Sequence, residues 1–219
     1  MHKECFPAQG WKVLEKIKSI ANKNSAVLGG GTALALHIGH RISIDLDFFT
    51  VKPFRVDSLI SGIRKASSSF NIIAEGEDFL TAGVDGIKVS VFKYDYPFTD
   101  KLTSYKGTKI AGLLDIAAMK TVAVSQRGTK RDFVDLYFIL QDIPFHKIAG
   151  HIIKHFGQER INPVHIGKSL VYFTDADSNP EPQYLKGKDV KWDKIKRFFK
   201  SHVRQIVFDL DAAIKDQEK

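Results

Sequence analysis

Cysteine is nearly absent from this chain: Cys5 is the single thiol in 219 residues. No internal disulfide is available, which excludes the stapled secreted scaffolds and agrees with a reducing compartment. No run approaches the roughly 18–20 consecutive apolar residues of a membrane span. The first residues, Met1-His2-Lys3-Glu4-Cys5-Phe6-Pro7, lack the apolar stretch of a secretory leader. The sequence therefore reads as cytoplasmic, with no membrane association. Repeats are lacking too, and Ser67-Ser68-Ser69 is the strongest compositional bias. Acidic charge is the scarcer sign, with 25 Asp and Glu against 33 Lys and Arg, a net +8. That excess favours a polyanionic partner.

The length suits one large domain or two small lobes. Trp11, Leu14, Ile17 and Ile20/Ala21 recur at helical spacing and open the chain with an amphipathic helix. Ala26-Val27-Leu28, residues 44–49, and Phe70-Asn71-Ile72-Ile73-Ala74 read as strands. Residues 57–68 read as a helix with Asp57 as its N-cap. Residues 79–84 and 87–94 form a hairpin about Asp85-Gly86. After Pro97 the character changes: residues 110–126, 131–141, 148–156, 164–173 and 190–215 all read as helices. The expected class is α/β (α+β), a mixed-sheet lobe over residues 1–98 followed by a helical lobe over 99–219.

The most informative segment is Leu28-Gly29-Gly30-Gly31-Thr32-Ala33-Leu34, followed by Arg41-Ile42-Ser43-Ile44-Asp45-Leu46-Asp47-Phe48-Phe49. On a strand, Asp45 and Asp47 project to one side while Ile44, Leu46 and Phe48 face the core. Paired carboxylates repel unless a cation sits between them, and hard oxygen donors suit Mg²⁺ (or Mn²⁺) shared with substrate phosphates. Gly30, Gly31 and Thr32 let the backbone and a helix N-terminus approach a polyphosphate. A phosphate cradle beside metal carboxylates is the equipment of phosphoryl or nucleotidyl transfer. The Asp-x-Asp motif of sugar-nucleotide glycosyltransferases shares the aspartates but leaves the glycine turn unexplained. Asp209-Leu210-Asp211 repeats the spelling on a C-terminal helix, where residues two apart do not share a face.

Downstream, Lys120 falls on the apolar stripe of Leu113, Ala117 and Val124, where a cation is out of place unless it serves phosphate or the leaving pyrophosphate. Asp132 and Asp135 open the next helix, Asp135 amid Phe133, Leu136 and Tyr137. In that helix Asp132 suits the dipole at the helix start and faces the chemistry, whereas Asp135 is structural. Lys196, Lys200 and Arg204 form a basic stripe opposite Trp192, Ile195, Phe199, Val203 and Ile206. His151 and His155 share a helix face, and with His146 offer a metal-binding alternative.

The stretches Gly30–Leu36 and His40–Phe49 resemble motif I of the AbiEii/AbiGii toxin nucleotidyltransferases, within the DNA polymerase β-like superfamily. Asp115-Ile116-Ala117-Ala118-Met119-Lys120 and Arg127-Gly128-Thr129-Lys130-Arg131-Asp132-Phe133-Val134-Asp135-Leu136-Tyr137 resemble the later motifs. The resemblance implies a toxin-like enzyme of a toxin–antitoxin or abortive-infection system. It would transfer NMP from an NTP to a hydroxyl, with tRNA or other RNA as acceptor and an antitoxin protein as partner. In that scheme Asp45 and Asp47 hold the metal, and Lys120, Asp132 and Asp135 complete the catalytic set. One of the last two acts as general base or orients Lys120 or Arg131. Gly30, Gly31, Thr32, Arg41, Ser43, Lys88 and Ser90 line the nucleotide. The superfamily's third carboxylate falls at Ser90, a poor metal ligand. That departure keeps open a weak or inactive binding protein, and a protein-modifying transferase would share every site residue.

Overall fold

Alternation of apolar and polar side chains, legible from residue 44 onward, builds the sheet of the computed structural model, which describes residues 1–217. The chain divides into two compact units, Met1–Gly112 and Leu113–Lys219. In the first, helix α1 (Ala8–Lys23) buries Val13, Leu14, Ile17 and Ala21 along its apolar face. Strand β1 (Val27–Leu28) leads into α2 (Gly30–Ile38), and β2 (Leu46–Thr50) follows. Next come α3 (Val56–Ala66), β3 (Phe70–Gly76), β4 (Phe79–Val84), β5 (Ile87–Lys93), β6 (Thr103–Tyr105) and β7 (Thr108–Ile110).

The strands form one mixed sheet in the order β3-β4-β5-β2-β1-β7-β6. The β2–β5 and β1–β7 pairs are parallel and the others antiparallel. Leu46, Phe48, Leu80, Ala82, Val84, Val89 and Val91 are buried on one face, and α1 and α3 pack against these strands. The β4–β5 turn forms at Asp85-Gly86, both at positive φ (48° and 83°), as a two-residue hairpin of primed type requires. Asp85 also receives Lys16 Nζ at 2.7 Å and the amides of Ser68 and Ser69. These contacts, chiefly the Lys16 hydrogen bond, hold its carboxyl below the ordinary range.

Three expectations need correction. Ile44 precedes the strand and is 53% exposed, because β2 begins only at Leu46 and the residues before it are irregular. The N-cap of α3 is Arg55, and Asp57 lies in the first turn instead. Residues 103–110 form the β6–β7 hairpin about Lys106-Gly107. Because β7 pairs with β1, the sheet-bearing unit extends past Pro97, and helix begins only at Leu113.

The second unit is helical: α4 (Leu113–Gln126), α5 (Lys130–Asp142), α6 (Phe145–Phe156), α7 (Pro163–Leu170), the single turn α8 (Thr174–Asp177) and α9 (Trp192–Gln217). Gly128 at φ 51° ends the α4–α5 connection, and Thr129 and Asn162 cap α5 and α7 through their side chains. Helix α9 buries Ile195, Phe199, Ile206 and Leu210 against α5, α6 and α7. Phe133 gathers Phe173, Trp192 and Phe199 at ring separations of 5.2–5.7 Å. Asp209 and Asp211 lie on α9 as expected of a helical surface.

Candidate active site

In the first unit, the chain turns from β1 into α2 through Gly29 and Gly30, the latter at φ +64°. That conformation favours glycine, and proximity reinforces it, since a Cβ at Gly30 would lie 3.0 Å from Asp47 Oδ2. A Cβ at Gly31 would collide with the Arg41 guanidinium. The Gly29 amide donates to the Asp47 carbonyl at 2.9 Å. The Thr32 hydroxyl donates to the Asp45 carbonyl and lies 2.9 Å from Ser43 Oγ. The glycine turn is thus tied to the Asp47 carbonyl by a backbone bond and to the Asp45 carbonyl by the Thr32 hydroxyl, while the first amides of α2 have no intrahelical acceptors.

Asp45 and Asp47 are half-buried, with Leu46 wholly buried between them. In the β2–β5 register Asp47 stands opposite Ser90, and directly paired residues share a face. Lys88 Nζ meets Asp45 Oδ2 at 3.0 Å. Ser90 is 2% exposed and accepts from Thr81 Oγ1 at 3.4 Å. The face continues into half-buried rings: Phe49 opposes Phe92 and Phe92 opposes Phe79, at 5.5 and 6.4 Å. The donor set fits a hard divalent cation. Two carboxylates stand beside a cradle that a Cβ would fill, with a lysine already drawn to one of them.

The second unit contains a separate ionic cluster. Lys120, on α4 and 5% exposed, reaches Asp132 Oδ1 at 2.9 Å and Asp135 Oδ2 at 2.6 Å, both on α5. Arg127 adds a bidentate clamp on Asp132 at 2.8 and 2.9 Å, and the Thr129 hydroxyl donates to Asp132 Oδ2 at 2.6 Å. Burial by itself would raise the Asp132 carboxyl. The charges and hydrogen bonds of Lys120, Arg127 and Thr129 outweigh it and hold the group far below the usual carboxylate range.

Comparison with known proteins decides the family. The model described as nucleotidyl transferase AbiEii toxin, type IV toxin–antitoxin system, matches residues 12–110 and 108–215. The chain belongs to the AbiEii nucleotidyltransferase family. A relative from Aquifex aeolicus, itself uncharacterised, is 38% identical over 199 residues, covering 89% of this chain and 94% of that one. Among solved structures, the fold resembles a Helicobacter pylori protein described as a nucleotidyltransferase. The TM-score is 0.58 at 18% identity, over 93% and 95% of the two chains. It also resembles MenT4, a nucleotidyltransferase toxin of Mycobacterium tuberculosis, with a TM-score of 0.56 at 14% identity over 94% and 95%. At these identities the structural likeness concerns the fold, a mixed-sheet nucleotidyltransferase unit followed by helices.

Within this AbiEii chain, the residues expected at the nucleotide are brought together in one unit: Gly30, Gly31, Thr32, Arg41, Ser43, Asp45, Asp47, Lys88 and Ser90. Lys120, Asp132 and Asp135 form their own cluster in the other. The contact with Asp132 comes from Arg127 rather than Arg131, which is exposed. Arg127 lies seven residues beyond Lys120, in the turn just past α4, and that spacing of about two helical turns carried the signal. His146 is exposed and apart from the histidine pair, whose acidic neighbour is Asp115. Sequence reasoning also passed over the rings of Phe49, Phe79 and Phe92, which only the strand register aligns. Among the described residues, no helix is long and apolar enough to cross a membrane.

Proposed function

We propose that this protein is a Mg²⁺-dependent nucleotidyltransferase that moves NMP from an NTP to a hydroxyl of RNA, tRNA above all. In this reading it is the toxin of a toxin–antitoxin pair. The observation that carries the reading is the tying of the positive-φ glycine turn to both aspartates: the Gly29 amide donates to the Asp47 carbonyl, the Thr32 hydroxyl donates to the Asp45 carbonyl, and Gly30 lies too close to Asp47 Oδ2 for a side chain. Asp45 and Asp47 would hold the ion. Bound there, it supplies neutralisation of triphosphate charge and lowers the pKa of a coordinated hydroxyl. The amides of Gly30, Gly31 and Thr32, at the start of α2, would donate to phosphate oxygens, and Arg41, packed against Gly31, adds charge. Lys88 neutralises Asp45 from the neighbouring strand and is placed to follow phosphate when the nucleotide enters. Lys120 is committed to two carboxylates, so its part is to fix Asp132. Asp132 in turn aims the Arg127 guanidinium, whose side chain is 62% exposed. The net +8 charge suits an RNA acceptor.

Ser90 supports a second reading. It is buried opposite Asp47 where the superfamily places a carboxylate, and a serine there favours a protein that binds nucleotide without turnover. The test incubates pure protein with Mg²⁺, each α-labelled NTP in turn and total tRNA, beside the Asp45→Ala/Asp47→Ala protein. Label on RNA that falls about a hundredfold or more in the double variant supports transfer. Label on protein redirects the acceptor to a side-chain hydroxyl. Nucleotide binding with no label from any NTP supports the binding-only reading.

A further inference from the structure

In the helical unit, α4 and α6 bring three metal-binding groups together away from Lys120's carboxylates. Asp115 lies in the first turn of α4, fully buried, and His151 and His155 lie one turn apart on α6. His151 Nε2 is 2.7 Å from Asp115 Oδ1, and His155 Nδ1 is 3.3 Å from the same oxygen. The His155 side chain is wholly buried and that of His151 is 9% exposed. The two imidazoles are near-parallel, at 23° and 6.0 Å between centroids.

We propose that Asp115, His151 and His155 form a transition-metal site, with Zn²⁺ as its natural occupant. All three donor atoms lie within 4.8 Å of one another. Tetrahedral bonds of about 2.0–2.1 Å place donors roughly 3.3 Å apart, which this trio meets with small rotations. Two imidazoles and one carboxylate suit zinc, nickel or cobalt rather than Mg²⁺, which prefers oxygen ligands. The site is therefore chemically distinct from Asp45 and Asp47. Two imidazole nitrogens converge on one oxygen of this buried carboxylate. A dication held there takes one lone pair from each imidazole and one from the carboxylate, and leaves a fourth position for water. Binding displaces the proton shared between His151 and Asp115 to solvent. The ion ties the start of α4 to the end of α6, and so braces the helix that carries Lys120 and leads into Arg127.

The test uses the full, tag-free chain stripped with chelator. Zn²⁺ added against a chromogenic competitor binds one equivalent, and Co²⁺ gives the visible d–d absorption of a tetrahedral site. At a hundredfold excess over Kd, zinc raises the unfolding midpoint by about 5–10 °C. His151→Gln and the double variant His151→Gln/His155→Gln lose the tight equivalent, the cobalt band and the thermal shift. Equal zinc binding by parent and double variant would assign the ion to exposed histidines such as His146 and His202, and overturn the proposal. Absence of the cobalt band in the parent overturns it without reference to any variant, and leaves the trio a hydrogen-bonded Asp–His pair.

Discussion

Replacing Lys120 by methionine keeps the length and apolar stem of the side chain and removes only its charge. Two buried carboxylates then lose a cation at 2.9 and 2.6 Å. Breaking a buried ion pair from one side costs about 3–5 kcal/mol, because the remaining charge stays in the interior. Asp132 keeps the Arg127 clamp and the Thr129 hydroxyl, which limits the deficit. That places the loss near the lower bound, about 3 kcal/mol, or roughly 6–12 °C in unfolding midpoint for a protein of this size. Denaturant unfolding at several pH values is the assay. In the variant, loss of the Lys120 charge leaves the Asp132 carboxyl less depressed than in the parent. The destabilisation is therefore fully present above the unfolded carboxylate pKa of about 3.9 and shrinks only in stronger acid. In the parent, Asp132 has a depressed folded pKa, so its contribution is complete above about pH 4 and fades only in stronger acid. A variant within 1 kcal/mol of the parent at pH 7, or one whose deficit grows as pH falls from 7 to 5, would refute the reasoning.

The sheet-bearing unit yields three more expectations. Gly30→Ala forces a methyl-bearing residue to φ +64° and toward Asp47 Oδ2, costing about 1–2 kcal/mol in unfolding free energy; NTP affinity measured by calorimetry should fall with it. Ser90→Asp sets a carboxylate directly opposite Asp47. Without metal it lowers stability by roughly 0.5–1 kcal/mol through like-charge repulsion, and with Mg²⁺ it raises labelling of the acceptor; unchanged labelling would show that the site does not lack a third ligand. Cys5 is buried, and burial is the main cause that pushes its thiol up to about 12. It should therefore resist a thiol-selective reagent at pH 7–8 in the folded protein and react promptly in denaturant.

What the residues reveal on their own follows from how local each interaction is. The glycine turn and the Asp85-Gly86 hairpin are each specified within a few neighbours and occur where the turn chemistry puts them, whereas of the expected Asp-x-Asp strand only Asp47 lies in β2 and Asp45 immediately precedes it. The β6–β7 hairpin is just as local, but its strands are three residues long. That is too short for period-two alternation to stand out beside the helical pattern that begins at Leu113. Ile44 misleads for a different reason. Its place in the alternating set is correct, yet the chain enters the strand only at Leu46, and alternation means nothing before the first ladder bond. The charged network is legible in part: Lys120 is conspicuous on an apolar stripe, whereas its double engagement by Asp132 and Asp135 depends on how α4 packs on α5. The Asp115 trio is the extreme case. His151 and His155 announce a shared helix face, but the carboxylate they meet is on another helix, 36 residues away in sequence from His151. No periodicity links those positions, and His146, the neighbour that proximity in sequence suggests, is exposed. Local chemistry thus specifies the glycine turn, while the groups that set buried charge in the helical unit are chosen by tertiary packing. For this protein, substitutions in the cradle should act on nucleotide handling, and those in the helical clusters on stability first.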